Sequence, residues 1–451
     1  LATISICFFP VPSAVLNAVA LAKRLRSRGH KVWIISTPDV EPAARAEGIA
    51  VVPVLGGLFR TGSFEAEIRY FETLSRFAKL AELRRAIRSY RAAMDGLLEP
   101  GQNELDHAFD RIAPDLALFY SDIPDLIVAP LVALRRGLRC AYVTPLFSSF
   151  RGPDSPPLAM GLVPRPGAWS RFAVRMAWAR FLLSRSVTRR LGIALGFGVH
   201  LGHYVRKLAP PGGGAGMPVC WDAFQSPMLS LPNFFLVPRE LEFDFQPRAG
   251  SHWLGWTFDS ARPEQLIPAE RFDPARPLVY CSLGKQAFAF MSAPVRRAFL
   301  QAVLDALAAR PHLQLVLGTG GDPGGKPLNV TAPGAIVQDR LPQLQVLGRA
   351  RLMITHAGTN SLMECASRGV PMIAFPLGFD QQGNAARAVY HGLALRGDFR
   401  RVTADSIGRM IDAVLGDEAM RQRCAAMAAR AGDAGHYESE MAALEALAQR
   451  A

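Results

Sequence analysis

The 451-residue chain has no uninterrupted apolar run of the roughly 18 residues a membrane-spanning helix needs, so no transmembrane helix is expected. Asp122 and Asp125 break one candidate run, and the arginines around Trp178 break another. The opening Ala2 to Phe9 lacks the basic flank and small-residue cleavage site of a secretory leader and reads as a buried strand. Cysteine is scarce and scattered: Cys7, Cys140, Cys220, Cys281, Cys365 and Cys424 form no C-x-x-C pair and no Cys/His cluster. That argues against a zinc site or a disulfide framework and suits buried thiols in the cytoplasm. No Asp-x-Asp metal motif occurs. Acidic residues are absent between Asp154 and Asp222, where Arg165, Arg171, Arg175, Arg180, Arg185, Arg189, Arg190, Arg206 and Lys207 interleave with Trp169, Phe172, Trp178, Phe181 and Leu182. The net charge of +13 would suit nucleic acid, but no zinc finger or aromatic RNA-recognition motif accompanies it, so no nucleic-acid partner is expected. Two readings of the basic stretch 165–207 stay open: a solvated helical face packed on the protein, or peripheral contact with an anionic membrane surface.

What is present is globular: 50% of the residues are apolar and 20% charged. Ala2 to Phe9 is followed by a helical pattern through Val19, Leu21, Ala22 and Leu25, closed by Arg28-Gly29-His30, and then by the strand Lys31 to Ile35. Strand, helix and strand in under forty residues make a parallel βαβ unit. Leu116 to Tyr120 and Arg139 to Val143 repeat it; Leu278 to Ser282, Leu313 to Leu317, Leu352 to Thr355 and Met372 to Phe375 are the strands of a second half. The fold class is α/β with two domains. Residues 1–235 form the first and 236–251 the linker, marked by Pro238, Pro247 and Gly250; residues 252–433 form the second, and 434–451 a helix whose Met441, Leu444 and Leu447 stripe packs back on the first.

The chemistry concentrates between Arg340 and Asn384. There Leu352 to Thr355 runs into the small-residue turn His356 to Asn360 and a helix opening at Ser361, which offers backbone N–H groups to an anion. Gly369-Val370-Pro371 ends that helix, and Asp380-Gln381 follows the next strand. Ligands of open α/β sheets lie at the carboxyl ends of the strands, so these groups should converge on one cleft. Gly320 to Lys326 nearly spells a P-loop, but Pro327 stands where a magnesium-binding Ser or Thr is required, and the stretch reads as a surface loop.

The succession Pro342-Gln343, His356-x-Gly358-x-Asn360-Ser361, Glu364, Gly369-Val370-Pro371 and Asp380-Gln381 resembles the UDP-dependent glycosyltransferases, which include the plant secondary-metabolite, bacterial antibiotic and carotenoid enzymes. The resemblance is dense over 340–384 and weaker elsewhere. It implies the GT-B fold, two facing Rossmann-like domains, the first for the acceptor and the second for a nucleotide sugar. It further implies that His356 bonds a phosphate oxygen, that Asn360 and Ser361 beside Gly358 take the α-phosphate, and that Glu364 accepts from the ribose hydroxyls. Asp380 and Gln381 would bind the sugar, a pairing that in this family often accompanies UDP-glucose. Ser282-Leu283-Gly284-Lys285 is similar to the family's other phosphate-facing loop, and Arg340, Leu341 and Gln343 would flank the base.

Two positions depart from the family pattern. Plant members place Trp where Arg340 stands; a guanidinium plane can also stack on a base, which leaves UDP and dTDP both open. In the first loop the family's proton-abstracting His falls on Ala14, at the mouth of the cleft, and its orienting Asp on Asp122, with Asp125 the alternative and helix capping the other reading of both. The expected function is inverting, metal-independent transfer of a hexose, with no cofactor, to a hydroxyl of a lipophilic small molecule, impaired by Ala14. The alternative is a catalytically silent relative that binds ligand or supports a partner enzyme.

Overall fold

The computed structural model describes residues 1–59, 61–97, 99–121, 128–195, 204, 219–284, 290–321 and 327–449. The first domain is built on seven parallel strands, β1 (Thr3–Cys7), β2 (Lys31–Ser36), β3 (Ala50–Pro53), β4 (Leu116–Tyr120), β5 (Cys140–Thr144), β8 (Asn233–Phe235) and β9 (Ser251–Trp253), in the order β3-β2-β1-β4-β5-β8-β9. Between β5 and β8, β6 (Val219–Cys220) and β7 (Met228–Leu229) pair as a small antiparallel ribbon. The second domain carries β10 (Leu278–Ser282), β11 (Gln314–Gly318), β12 (Ile336–Gln338), β13 (Ala350–Thr355), β14 (Met372–Ala374) and β15 (Ala394–Arg396), all parallel, in the order β12-β11-β10-β13-β14-β15. Strands β4, β5 and β11 are buried along their whole length, as expected where helices cover both faces of a parallel sheet. In each sheet the winding reverses once, between β1 and β4 and between β10 and β13, and such reversals open a crevice at the strands' carboxyl ends.

The sequence boundary at 252 is corrected by β9. Phe234 pairs with His252 and Phe235 with Trp253, so Ser251–Trp253 is the edge strand of the first sheet. The prolines at 238 and 247 belong to a loop between two strands of one sheet, and the chain passes to the second domain only after Trp253. The closing helix Glu438–Ala448 returns to the first domain, where Met441, Leu444 and Ala448 share a core with Ile4, Leu25 and Phe234. Arg28 fastens it, donating to Glu445 (2.5 and 3.0 Å) and Glu438 (2.6 Å).

A second tie between the domains is fully buried. On the helix Gln381–Tyr390, Arg387 donates through Nε to Glu242 of the β8–β9 loop (2.7 Å) and through Nη2 to the carbonyl of Ser148 (3.0 Å). The other carboxylate oxygen of Glu242 accepts from the Ser148 backbone N–H (2.5 Å), and both charged side chains are 0% exposed. The guanidinium also lies over the rings of Phe147 and Phe243, 5.0 and 4.5 Å from their centroids. Breaking such a pair from one side leaves an uncompensated buried charge, which costs about 3–5 kcal/mol. Glu242→Gln should therefore destabilise by about that amount, whereas the double replacement Glu242→Leu/Arg387→Met should cost less than either single change. Urea unfolding of Glu242→Gln, Arg387→Met and the double variant checks this.

Candidate functional site

Strands β10, β13 and β14 end side by side, and the turns beyond them carry most of the residues singled out in the sequence. After Thr355, Ala357 takes a positive φ of 62° and turns the chain so that Gly358 caps the helix Thr359–Ser367. The His356 ring is wedged between two glycines. A Cβ at Gly358 would stand 2.5 Å from its Nε2, and one at Gly284, where φ is also positive (+68°), would stand 2.6 Å from its Cε1. These close approaches explain both glycines without appeal to function. Burial pushes the imidazole down to about 4, so at neutral pH it is uncharged and keeps one N–H to give. Its Nδ1 is buried and finds no partner among the described residues.

The neighbouring helix Gln381–Tyr390 begins at Asp380, whose Oδ2 accepts from Thr359 Oγ1 (2.8 Å) and Asn384 Nδ2 (2.6 Å). Burial pushes the Asp380 carboxyl up. Gln381 spends its carbonyl on the backbone N–H groups of Leu377 (2.8 Å) and Gly378 (3.2 Å), which leaves Nε2 buried and unpaired. Buried polar atoms are rarely left unpaired. Here His356 Nδ1, Asn360 Oδ1, Gln381 Nε2 and Asn384 Oδ1 all lack a partner among the described residues, within two adjoining helix starts. Donors at a helix N-terminus suit an anion, and unpaired amide groups suit hydroxyls.

Deeper in the helix Thr359–Ser367 sits Glu364, 1% exposed. Arg262 covers its carboxylate, donating to Oε1 (2.6 Å) and Oε2 (3.2 Å), and Gln343 Nε2 donates to Oε2 (2.6 Å). Tyr280 Oη donates in turn to Gln343 Oε1 (3.1 Å). Glu364 therefore faces a guanidinium, and a ribose could reach it only after Arg262 moved. This corrects the simple picture of an open acceptor for ribose hydroxyls.

Of the other positions, Ser282 ends β10, Ser361 is half-buried in the first turn of its helix, Leu341 packs on the core of the second domain, and Arg340 is exposed. Lys285, Asp122 and Asp125 lie outside the described residues, as do 322–326 of the loop that mimics a P-loop. Ala14 requires a correction. It stands in the first turn of the helix Pro12–Ser27 and not in the loop before it, and at 1% exposure it belongs to the core shared with Phe8 and Tyr120. The sequence reading missed Arg262, which is 102 residues from its partner, and Thr359 and Asn384, which hold Asp380.

Two outcomes follow from this geometry. Ala14→His forces a ring into a filled position, so it should destabilise the first domain by about 1–3 kcal/mol instead of creating a ready base; chemical denaturation measures the first effect and product formation the second. His356, neutral when folded, favours the native state fully above its unfolded value near 6.5, and that stability is lost as pH falls toward 4, because the unfolded chain takes up the proton first. Asp380 acts in the opposite sense above 3.8. The difference between the protein and His356→Gln isolates the histidine: the variant should lose less stability between pH 6.5 and 4.

Comparison with known proteins fits this geometry. A family profile described as UDP-glucoronosyl and UDP-glucosyl transferase matches residues 271–430, which span β10 to β15. The chain is 29% identical over 225 residues to the NDP-glycosyltransferase YjiC of Bacillus subtilis, covering 48% of this chain and 55% of that protein. It is 38% identical over 93 residues to a zeaxanthin glucosyltransferase of Pseudescherichia vulneris, covering 21% of this chain and 22% of that one. These matches thus span about half or less of the relatives' length. Among solved structures, the glycotransferase of kitacinnamycin superposes with a TM-score of 0.67 at 21% identity over 99% of both chains. VinC in complex with dTDP does so with a TM-score of 0.61 at 18% identity over the whole of both. The chain has the two-domain GT-B fold of these glycosyltransferase structures, and its residues 271–430 match the UDP-glucoronosyl and UDP-glucosyl transferase family.

Proposed function

We propose that the chain transfers a hexose, of the glucose type, from a nucleoside diphosphate to a hydroxyl of a lipophilic small molecule. The observation that carries this is the set of unpaired buried polar atoms around His356, Asn360, Gln381 and Asn384, beside two helix N-termini at the switch point of the second sheet. In this reading neutral His356 and the N–H groups from Thr359 to Ser361 take the diphosphate without a metal, while Asp380 and Gln381 Nε2 hold the sugar hydroxyls. The acceptor oxygen attacks the anomeric carbon as the diphosphate leaves, with inversion. A lipophilic acceptor is favoured by the partly exposed trio Phe9, Phe59 and Phe64, with ring centroids 5.3 to 5.8 Å apart, just beyond the carboxyl end of β1. It is favoured also by Phe379, which precedes Asp380 and meets Phe224 of the first domain at 5.0 Å.

Position 14, buried in the first turn of its helix, presents no imidazole to the acceptor, and the proposal assigns the chain a turnover lowered by the general-base contribution, about a hundred- to ten-thousand-fold. A catalytically silent ligand-binding protein is the second reading, and Ala14 is the observation that favours it. Both readings keep the nucleotide site, and they separate on whether product forms slowly or not at all.

The masking of Glu364 bears on the nucleotide. A guanidinium cannot accept from a hydroxyl, so loss of the ribose 2′-OH should matter little while Arg262 is in place. Calorimetry in excess EDTA should show UDP and dTDP binding within about tenfold of each other, and Arg262→Gln should shift the ratio toward UDP by about tenfold, the worth of one charge-assisted hydrogen bond. No heat from either nucleotide overturns the donor site. An unchanged ratio in the variant overturns only the role given to Arg262.

A further inference from the structure

The helix Ala168–Ala194 is attached to the protein along one side only. Its buried residues are Val174 and Trp178, and Trp178 Nε1 donates to the carbonyl of Ser155 (2.7 Å). Phe181 stacks on Phe224 (5.9 Å), and Arg185 donates to the carbonyls of Trp221 and Ala223 (both 2.6 Å). At 3.6 residues per turn, Trp169, Phe172, Met176, Leu183, Val187 and Leu191 fall within an arc of about 100° on the side opposite Trp178, along about 33 Å of helix. Every one is exposed, Trp169 at 86% and Leu183 at 67%. An apolar stripe of this extent, interrupted once by Arg180, is unusual on a free surface and calls for a cover.

Charge indicates which cover. Arg180 lies within the stripe, Arg190 at its edge and Arg175 beside it; all three are exposed, and none has an ion-pair partner among the described residues. No acidic residue occurs between Asp154 and Asp222 to offset them. At the foot of the helix a recess of about 390 Å³ is lined by Gly167, Ala168, Arg171, Phe172 and Arg175, and its Arg171 also reaches Asp154 (3.1 Å). A second copy laid stripe on stripe would crowd Arg180 and Arg190 of both copies onto one face whose helices carry no acidic residue. A lipid surface satisfies both features at once: apolar side chains enter the acyl boundary while guanidinium groups meet phosphate.

We propose that the helix Ala168–Ala194 docks the protein on an anionic lipid surface. No helix among the described residues is long and apolar enough to cross a membrane, so the contact is peripheral. Through Phe181, Phe224 and Phe379 the helix abuts the seam between the domains next to Asp380, which would bring the site close to lipid-dissolved molecules. The proposal does not depend on the donor reading and stands or falls on binding alone.

Vesicle co-sedimentation of the full chain tests it, with phosphatidylcholine vesicles against vesicles containing one-quarter phosphatidylglycerol. The protein should sediment with the anionic vesicles and little with the neutral ones, and less at high salt. Leu183→Ser/Leu191→Ser, which alters only exposed positions, should weaken binding about tenfold with unchanged thermal unfolding. Arg180→Glu and Arg190→Glu should each weaken it at least about fivefold. Absence of sedimentation with anionic vesicles overturns the proposal, as does equal binding by the serine variant. A dimer in sedimentation velocity that the serine variant abolishes would give the face to a second copy and overturn it as well.

Discussion

The buried ion pair between Arg387 and Glu242 fixes how the two domains meet. Glu242 comes from a loop between two strands of the first sheet, and Arg387 from the helix that begins at Asp380 and Gln381. The helix presenting two expected sugar-binding residues is thus anchored to the first domain, although its chain belongs to the second domain. Gly383 strengthens the anchorage: its N–H donates to the carbonyl of Leu158 (2.8 Å), and a Cβ at that position would lie 2.5 Å from the same oxygen. A shift of the first domain must therefore be felt at Asp380. Such a contact, with its charges wholly desolvated, adds little net stability over an apolar substitute, but it specifies one arrangement of the parts.

The second constraint is the packing of His356. Two glycines and a left-handed residue hold the ring at the end of β13, and burial keeps it neutral. Its orientation is thus set by the scaffold before any ligand arrives, as electrostatic preorganisation requires. The nearby amide groups of Gln381 and Asn384 each have one end engaged by the chain and the other unpaired, which fixes their direction as well.

The sequence made the strands and the turns beyond β13 and β14 legible because their determinants are local. Apolar runs at 116–120, 278–282 and 352–355 became β4, β10 and β13, and the His356 to Ser361 turn stands at a strand end as its residue types require. What sequence reading missed depends on distant pairing. Arg262 and Glu364 are 102 residues apart, and Arg387 and Glu242 are 145, so neither pair leaves a periodic signal. The place of β9 was hidden because a three-residue edge strand bounded by proline and glycine looks like a linker. Ala14 was misplaced for a related reason: the helix starts at Pro12, and that half-turn carries the residue from a loop into the core.

The central claim is that one crevice at the carboxyl ends of β10, β13 and β14 receives a nucleotide sugar. Amide hydrogen exchange of the full chain, with and without UDP-glucose, tests it most directly. Protection should appear in two separate segments, 355–364 and 376–384, with the first sheet changed far less. Protection confined to the first domain, or none at saturating ligand, would contradict the account.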